Sequence, residues 1–252
     1  MIHPYRESIS SQLYPGNQQS GPCLIPAVEN WEKQLSLPKK HRHKIIWRAD
    51  QGFGTDANIN WLLKRGYGLL IKGKSNRRAA TLGHKVKRWH PVRGDKFVGR
   101  IPTPSTFYCP VDTIAVCYPT PQGLKYTYLI STLKWSARET ALHYDMRGGS
   151  ETQFRSDKNG GLQLHKRRKH QRDAQEIWII LTDMAHNYLS WLTYTLFDKT
   201  PFEDFGFLRL SRELFHLPGI VEFENGHLVS VKLMKSSPYA NDLLQCFRRF
   251  WS

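Results

Sequence analysis

HKIIWRADQGFGTDANINWLLKRGYGLLIK, residues 43–72, decides how this chain is built. Its opening, His43 to Arg48, sets Ile45, Ile46 and Trp47 between polar ends, the pattern of a short strand with a buried centre. Ala49-Asp50-Gln51-Gly52 follows as a strand exit that uses glycine's conformational freedom, so Asp50 falls at the strand's carboxyl edge. Thr55 or Asp56 can cap the start of a helix, Ile59, Leu62 and Leu63 recur at helical spacing, and Gly66 stops it. Tyr67 to Lys72 reads as a second strand. Strand, acidic turn, helix and strand make a β-α-β unit, and its crossover predicts two parallel strands. Open α/β sheets bind ligands outside the carboxyl ends of their strands. Asp50 lies there.

Working outward, residues 1–42 form a helical lead-in, with a turn at Tyr14-Pro-Gly-Asn17 and a short helix from Ala27 to Leu35 before Pro38. Residues 43–74 are the β-α-β unit with Asp50. Residues 75–134 change to short runs rich in Val, Ile, Thr and Tyr (96–101, 113–118 and 125–131) divided by Pro and Gly, which predicts a β-rich, mostly antiparallel insertion. Residues 135–200 return to helical patterning, from Ser136 to Lys158 and again from Asp173 to Leu196; the second helix is apolar on most faces and is expected to be buried. Residues 201–252 form a tail with a hairpin around Asn225-Gly226, a type I′ turn signal. The segments read together as one α/β domain over residues 1–252, without internal repeats or low-complexity tracts.

Charge points to the partner. Hydrophobic residues at 40% and charged residues at 23% predict a folded core, while 37 Lys and Arg against 21 Asp and Glu leave a net charge of +16. A surface that basic usually faces a polyanion. The cations cluster: between Lys64 and Arg100 the only acid is Asp95, and between Arg155 and Arg172 the only acid is Asp157. Lys166-Arg167-Arg168-Lys169, flanked by His165 and His170, is dense enough to contact consecutive phosphates, although a solvated loop would look the same. The cysteines Cys23, Cys109, Cys117 and Cys246 include no C-x-x-C pair and no zinc spacing, which suits a reduced, cytoplasmic protein. The N-terminus lacks the apolar core of a signal peptide, and the apolar run from Ile177 to Phe197 is broken by Asp183, His186 and Asn187, so no membrane span is expected.

The chemistry concentrates in YDMRGGSETQFRSDK, residues 144–158. At about 100° per residue, Arg147, Glu151 and Lys158 fall within about 60° of Tyr144 around a helix. One face then carries an aromatic ring, two cations and an acid. A plain surface helix with an Arg147–Glu151 pair would carry the same residues. Gly148-Gly149-Ser150 costs such a helix roughly 2 kcal/mol of propensity against alanine, enough to bend it or to mark its start.

Tyr, two residues, Arg, three residues, Glu, six residues, Lys is the spacing of transposases of bacterial insertion sequences of the insertion sequence 4 type, and this chain matches every interval. Arg48-Ala-Asp50-Gln-Gly-Phe-Gly54 also resembles the segment with the second catalytic aspartate of that DDE family. The resemblance covers residues 43–196 and is compatible with the whole chain. It implies a ribonuclease H-like core in which Asp50 and Glu151 are catalytic carboxylates holding Mg²⁺, with Mn²⁺ as a substitute, over a scissile phosphodiester. It further implies that Tyr144, Arg147 and Lys158 grip phosphates beside the transposon end, that the partner is double-stranded DNA, and that the working form is a homodimer in a synaptic complex on nucleoid DNA. Trp89, between Arg88 and His90, is the candidate for stacking on a flipped base. Asp145 and Asp157 point away from the common face.

The chain departs from the family pattern upstream. No aspartate precedes Asp50, and the acids there, Glu7, Glu29 and Glu32, fall in segments that read as helical. The first core strand, its aspartate and the usual N-terminal DNA-end-binding domain are expected to be absent, leaving one sheet edge unpaired and the isolated chain inactive in transposition. A decayed element, an artificial fragment or the downstream half of a frame-shifted gene would each give such a sequence. Two functions stay open: a cut-and-paste transposase that works only with its missing part, and a catalytically dead basic fragment that binds DNA. An RNA-binding protein has little support, since no RNP1-like motif is present.

Overall fold

The computed structural model describes residues 7–146, 162 and 171–251. Two compact units divide the chain, Tyr14–Gly149 and Met1–Leu13 with Ser150–Ser252. The first contains α1 (Leu24–Gln34), β1 (Ile46–Ala49), α2 (Asp56–Lys64), β2 (Gly68–Lys72), α3 (Asn76–Gly83), β3 (His90–Pro91), β4 (Phe97–Ile101), β5 (Asp112–Thr120), β6 (Gly123–Ser131) and α4 (Ala137–Asp145). Its strands form one mixed sheet in the order β1-β2-β6-β5-β4-β3. β1 and β2 are parallel, with Ile46 opposite Gly68 and Ala49 opposite Ile71, as the β-α-β reading requires. The other pairings are antiparallel.

Local signals in the chain set these boundaries. Thr55 Oγ1 accepts from Asn58 N at 3.2 Å to open α2, and Gly66, at φ 83°, turns the chain out of it toward β2. At α4, Ser136 and Glu139 form a reciprocal capping box. Alternation along β2 then divides two cores. Leu69 and Ile71 face Val28 of α1, Ile59 and Leu62 of α2 and Leu82 of α3, while Leu70 faces the opposite way, into a cluster with Ile114, Leu129, Ala141 and Tyr144. The sheet is covered on both faces, by α1–α3 on one side and α4 on the other.

Residues 75–134 contain a helix as well as strands. The segment opens with helix α3, whose Ser75 cap accepts from Arg78 N at 3.1 Å and whose Ala79 and Leu82 are buried. β6 pairs directly with β2, Leu70 against Ser131 and Lys72 against Leu129, so the strands of this segment extend the sheet that begins with β1. The helix predicted from Ser136 is described as α4 to Asp145 and a turn at Met146; its continuation to Lys158 lies outside the described residues.

In the second unit are α5 (Arg172–Thr195), a short helical segment Phe207–Arg209 widening at Leu210–Leu214, a hairpin of β7 (Gly219–Glu224) and β8 (His227–Leu233), and α6 (Ala240–Trp251). Asn225 and Gly226 take φ 52° and 79°, the positive pair that a type I′ turn needs. Leu192, Phe197, Phe202, Leu210 and Leu243 lie in its core. The long helix is buried along part of its surface. Thr182, His186, Leu189 and Leu192 are buried along one side, whereas Ile177, Leu181, Met184 and Tyr188 are more than half exposed. Among the described residues no helix is long and apolar enough to cross a membrane.

Candidate active site

The carboxyl ends of the two parallel strands lie side by side, and the turns that leave them are laced together. Exposed Asp50 accepts through Oδ1 from Gln51 N at 2.6 Å. Gln51 Nε2 donates to Lys74 O at 3.0 Å and to Asn76 Oδ1 at 2.8 Å, so the turn after β1 is tied to the turn after β2. Lys74 N donates to Gly54 O at 2.9 Å, and a Cβ on Gly54 would come within 1.9 Å of Lys72 O. Only glycine allows that approach.

Register fixes which side chains meet. Arg48 stands opposite Leu70, so the next step of the alternation brings Asp50 beside Lys72 on the α4 face. Arg48 Nη1 donates to His143 O at 3.1 Å, fastening β1 to the end of α4 one residue before Tyr144. His143 stacks on Trp135 at 4.2 Å between ring centroids, and Tyr144 is buried at 9% exposure against the Leu70 cluster. Lys72 and Tyr144 line a cleft of about 400 Å³ with Arg93, Lys96, Tyr118 and Thr127. The structure thus brings Asp50, Lys72 and Tyr144 to one end of one sheet face. Arg147, Glu151, Lys158, Lys166, Arg167, Arg168 and Lys169 lie outside the described residues. Trp89 is half-buried on the opposite face, its ring 6.2 Å from that of Tyr126 in the α1–α3 core.

Of the upstream acids, Glu7 and Glu29 are exposed and Glu32 is buried. Glu32 accepts from Arg42 Nη2 at 3.0 Å, from Arg65 and from the Tyr67 hydroxyl. Burial pushes its carboxyl upward, but Arg65, Tyr67 and Arg42 outweigh burial and hold it below the usual range. Burial and the adjacent carboxylate push Tyr67 up to about 12. Glu32 is therefore a structural anion that holds α1 to the start of β2, and its oxygens are already taken. Asp56 is similarly engaged, with Arg78 donating to both its oxygens at 2.6 and 2.7 Å.

Among the described residues no group of three or more His, Cys, Asp or Glu side chains could hold a metal ion. Asp50 supplies one exposed, hard carboxylate at the strand ends. That is the kind of donor Mg²⁺ takes singly or in pairs, completing its shell with water and substrate phosphate. Two features of this edge were missed by sequence reasoning, the Arg48 tie to α4 and the place of Lys72. Strand parity within residues 43–72 carries the signal for Lys72. The tie to α4 has none, since it depends on how β5 and β6 seat that helix.

Comparison with known proteins assigns the family: the family model for the transposase DDE domain, group 1, matches residues 5–251. No curated protein matches the chain.

Proposed function

Because this chain belongs to the transposase DDE domain group 1 family, we propose that it cuts and joins DNA at transposon ends by metal-dependent phosphoryl transfer, with Asp50 and Glu151 as carboxylate ligands. The observation that carries this reading is the exposed Asp50 at the carboxyl edge of β1, on the sheet face that Tyr144 shares. In this reading the chain is of the insertion sequence 4 type and moves its element by a cut-and-paste route as a synaptic homodimer on nucleoid DNA. Divalent ions, Mg²⁺ or Mn²⁺, supply activation of the attacking oxygen and charge neutralisation at the leaving one.

The protein's own groups hold and orient. Asp50, pinned by its bond from Gln51 N, presents a carboxylate in a fixed direction. Arg48 keeps the end of α4 against β1, so the segment running on to Glu151 starts from a fixed point. Tyr144, Arg147 and Lys158 position phosphates, and Lys166 to Lys169 add sequence-independent affinity. Trp89 serves in this reading as a packing residue of the far face.

A first aspartate upstream of Asp50 is part of the family pattern, and among the described residues β1 is the terminal strand of the sheet, with Ile46 47% exposed. A strand bearing that aspartate is proposed to pair along this edge and to be required for cutting. The second reading is a basic fragment that binds DNA but does not cut it, favoured by the net charge of +16.

Nicking of supercoiled DNA in Mg²⁺ or Mn²⁺ tests both, using wild type, Asp50→Asn and Glu151→Gln. If wild type nicks and both substitutions stop it, the site works with the carboxylates present. If nothing nicks while all three proteins bind DNA equally, the second reading stands.

A further inference from the structure

We infer that α3 and the turn that follows it carry a track for the phosphate backbone of duplex DNA, formed by Lys74, Arg77, Lys85, Lys87 and Arg88. The inference rests on the transposase reading and gives the DNA a course beyond the carboxylate edge, over residues outside both the Tyr-Arg-Glu-Lys signature and the Lys166–Lys169 run.

Topology puts this helix beside the path of DNA drawn to Asp50. The end of β2 pairs with Leu129, and β6 continues past that point through Thr127, Tyr126 and Lys125. At about 3.3 Å per residue, Tyr126 lies ~10 Å beyond the carboxyl end of β2. The chain from Gly73 to Gly83 is laid along this overhang: a Cβ on Gly73 would overlap the Tyr128 ring, and one on Gly83 the Tyr126 ring. α3 therefore flanks the open end of the sheet at which Asp50 stands. Lys74, whose carbonyl accepts from Gln51, joins the start of the track to the Asp50 turn.

The helix and its turn sort their side chains by burial. Ala79, Leu82 and Gly83 are buried against the sheet, while Arg77 and Thr81, four residues apart, fall on one exposed stripe. Past the helix, Val86 and Trp89 pack toward the core, and Lys85, Lys87 and Arg88 are exposed. This turn is clamped to the sheet, since a Cβ on Gly99 of β4 would collide with Val86 and lie 3.1 Å from Arg88 O. Cations on a fixed scaffold lose less freedom on meeting phosphates than cations on a loose loop. The local sequence carries no opposing charge: between Asp56 and Asp95 there is no acid. Asp56 is bonded by Arg78, and Asp112, the acid of β4–β6, pairs with Arg100 at the opposite end of β5. The eight residues of α3 span ~12 Å at about 1.5 Å each, which matches three to four nucleotide steps of ~3.4 Å along one strand. Lys74, Arg77 and the cations of the turn thus reach separate phosphates.

The test is fluorescence anisotropy of the full 252-residue chain with a short DNA duplex in EDTA, comparing Arg77→Gln/Lys85→Gln/Arg88→Gln with Lys33→Gln/Lys39→Gln/Lys40→Gln. The second set removes the same charge from exposed positions at and beyond the end of α1. Losing three phosphate contacts lowers the slope of log K against log salt by about 2.7 and costs on the order of 100-fold in affinity in roughly 0.15 M salt. That loss is expected for the track set, with a much smaller one for the control set and recovery in Arg77→Lys/Lys85→Arg/Arg88→Lys, which keeps the charge. Thr81→Glu, which sets a carboxylate in the middle of the track, should by itself weaken binding about 5-fold. Equal losses in the two sets, or unchanged binding by Thr81→Glu, overturn the track and leave Asp50-dependent nicking to be judged separately. If wild type itself does not bind DNA, the transposase reading fails and the track with it.

Discussion

Glu32→Gln separates a structural carboxylate from a catalytic one. Glu32 is the buried acid upstream of Asp50, and Arg42, Arg65 and Tyr67 surround it. Removing one partner of a buried ion pair costs about 3–5 kcal/mol, since the cations left behind keep their desolvation penalty. Arg65 is 28% exposed and regains some hydration, so the lower end, about 3 kcal/mol, applies. At about 2–4 °C per kcal/mol for a chain of this size, thermal unfolding followed by circular dichroism at neutral pH should shift down by about 10 °C. Acid should erase the difference. The folded carboxyl is held below its ordinary value, so its stabilisation is present above the unfolded pKa of about 4.3 and is lost as pH falls through the folded one. Wild type and Glu32→Gln should therefore converge in strong acid. A fall below about 2 °C at neutral pH refutes the reasoning. Loss of nicking without loss of stability would move Glu32 into the chemistry.

Gly54→Ala should cost about 3 kcal/mol, the top of the overpacking range, because its Cβ would lie 1.9 Å from Lys72 O, a backbone atom with little room to yield; denaturant unfolding measures this, and a neutral result would show that the two turns are not in contact. Asp56→Asn should flatten acid sensitivity. Arg78, bonded to both Asp56 oxygens, holds that carboxyl below its ordinary range, so its stabilisation exists above the unfolded pKa of about 3.9 and disappears as pH drops through the folded value. Melting temperatures measured down to strong acid should fall more steeply for wild type than for the variant; parallel curves would contradict the assignment. On α5, Met184→Glu, at a site 62% exposed, should change stability by less than about 0.5 kcal/mol, whereas Leu192→Ala, at 7% exposure, should cost about 2–5 kcal/mol. Comparable losses for the two would mean that the outer face of α5 is buried in solution.

Much of the first unit was legible because its signals are local. Alternation, a helix cap and a glycine stop within residues 43–72 are enough to give β1, α2, β2, their parallel pairing and the edge position of Asp50. Asn225-Gly226 likewise marks its hairpin, since both residues tolerate positive φ. Helix α3 was not legible. Its eight residues contain two buried side chains on one turn and a pair of arginines, too short a run for a helical period to stand out. Nor does the exposure of α5 show in its composition, because an apolar stripe does not state whether another surface covers it. The sheet order was hidden for a related reason: β6 meets β2 by a long-range pairing that no neighbouring residues encode. At the site, the sequence names Asp50 and Tyr144, but the bond from Arg48 to His143 that ties the end of α4 to β1 is a long-range contact no local signal encodes.

That placement makes the sign of a charge effect informative. Without a metal, the Asp50 carboxylate and a DNA phosphate brought to the strand ends are like charges near one exposed edge. Like charges about 4 Å apart in water repel by about 1 kcal/mol, so Asp50→Asn should tighten DNA binding a few-fold in EDTA. If Asp50 holds a divalent ion, the same substitution in Mg²⁺ removes the bridge between carboxylate and phosphate and should weaken binding. A fragment that only binds DNA has no such bridge, and its response keeps one sign in both buffers. Affinity measured with and without Mg²⁺ thus distinguishes a metal-binding transposase from an inert basic remnant even where neither cuts, because the discriminating quantity is a reversal and not a magnitude.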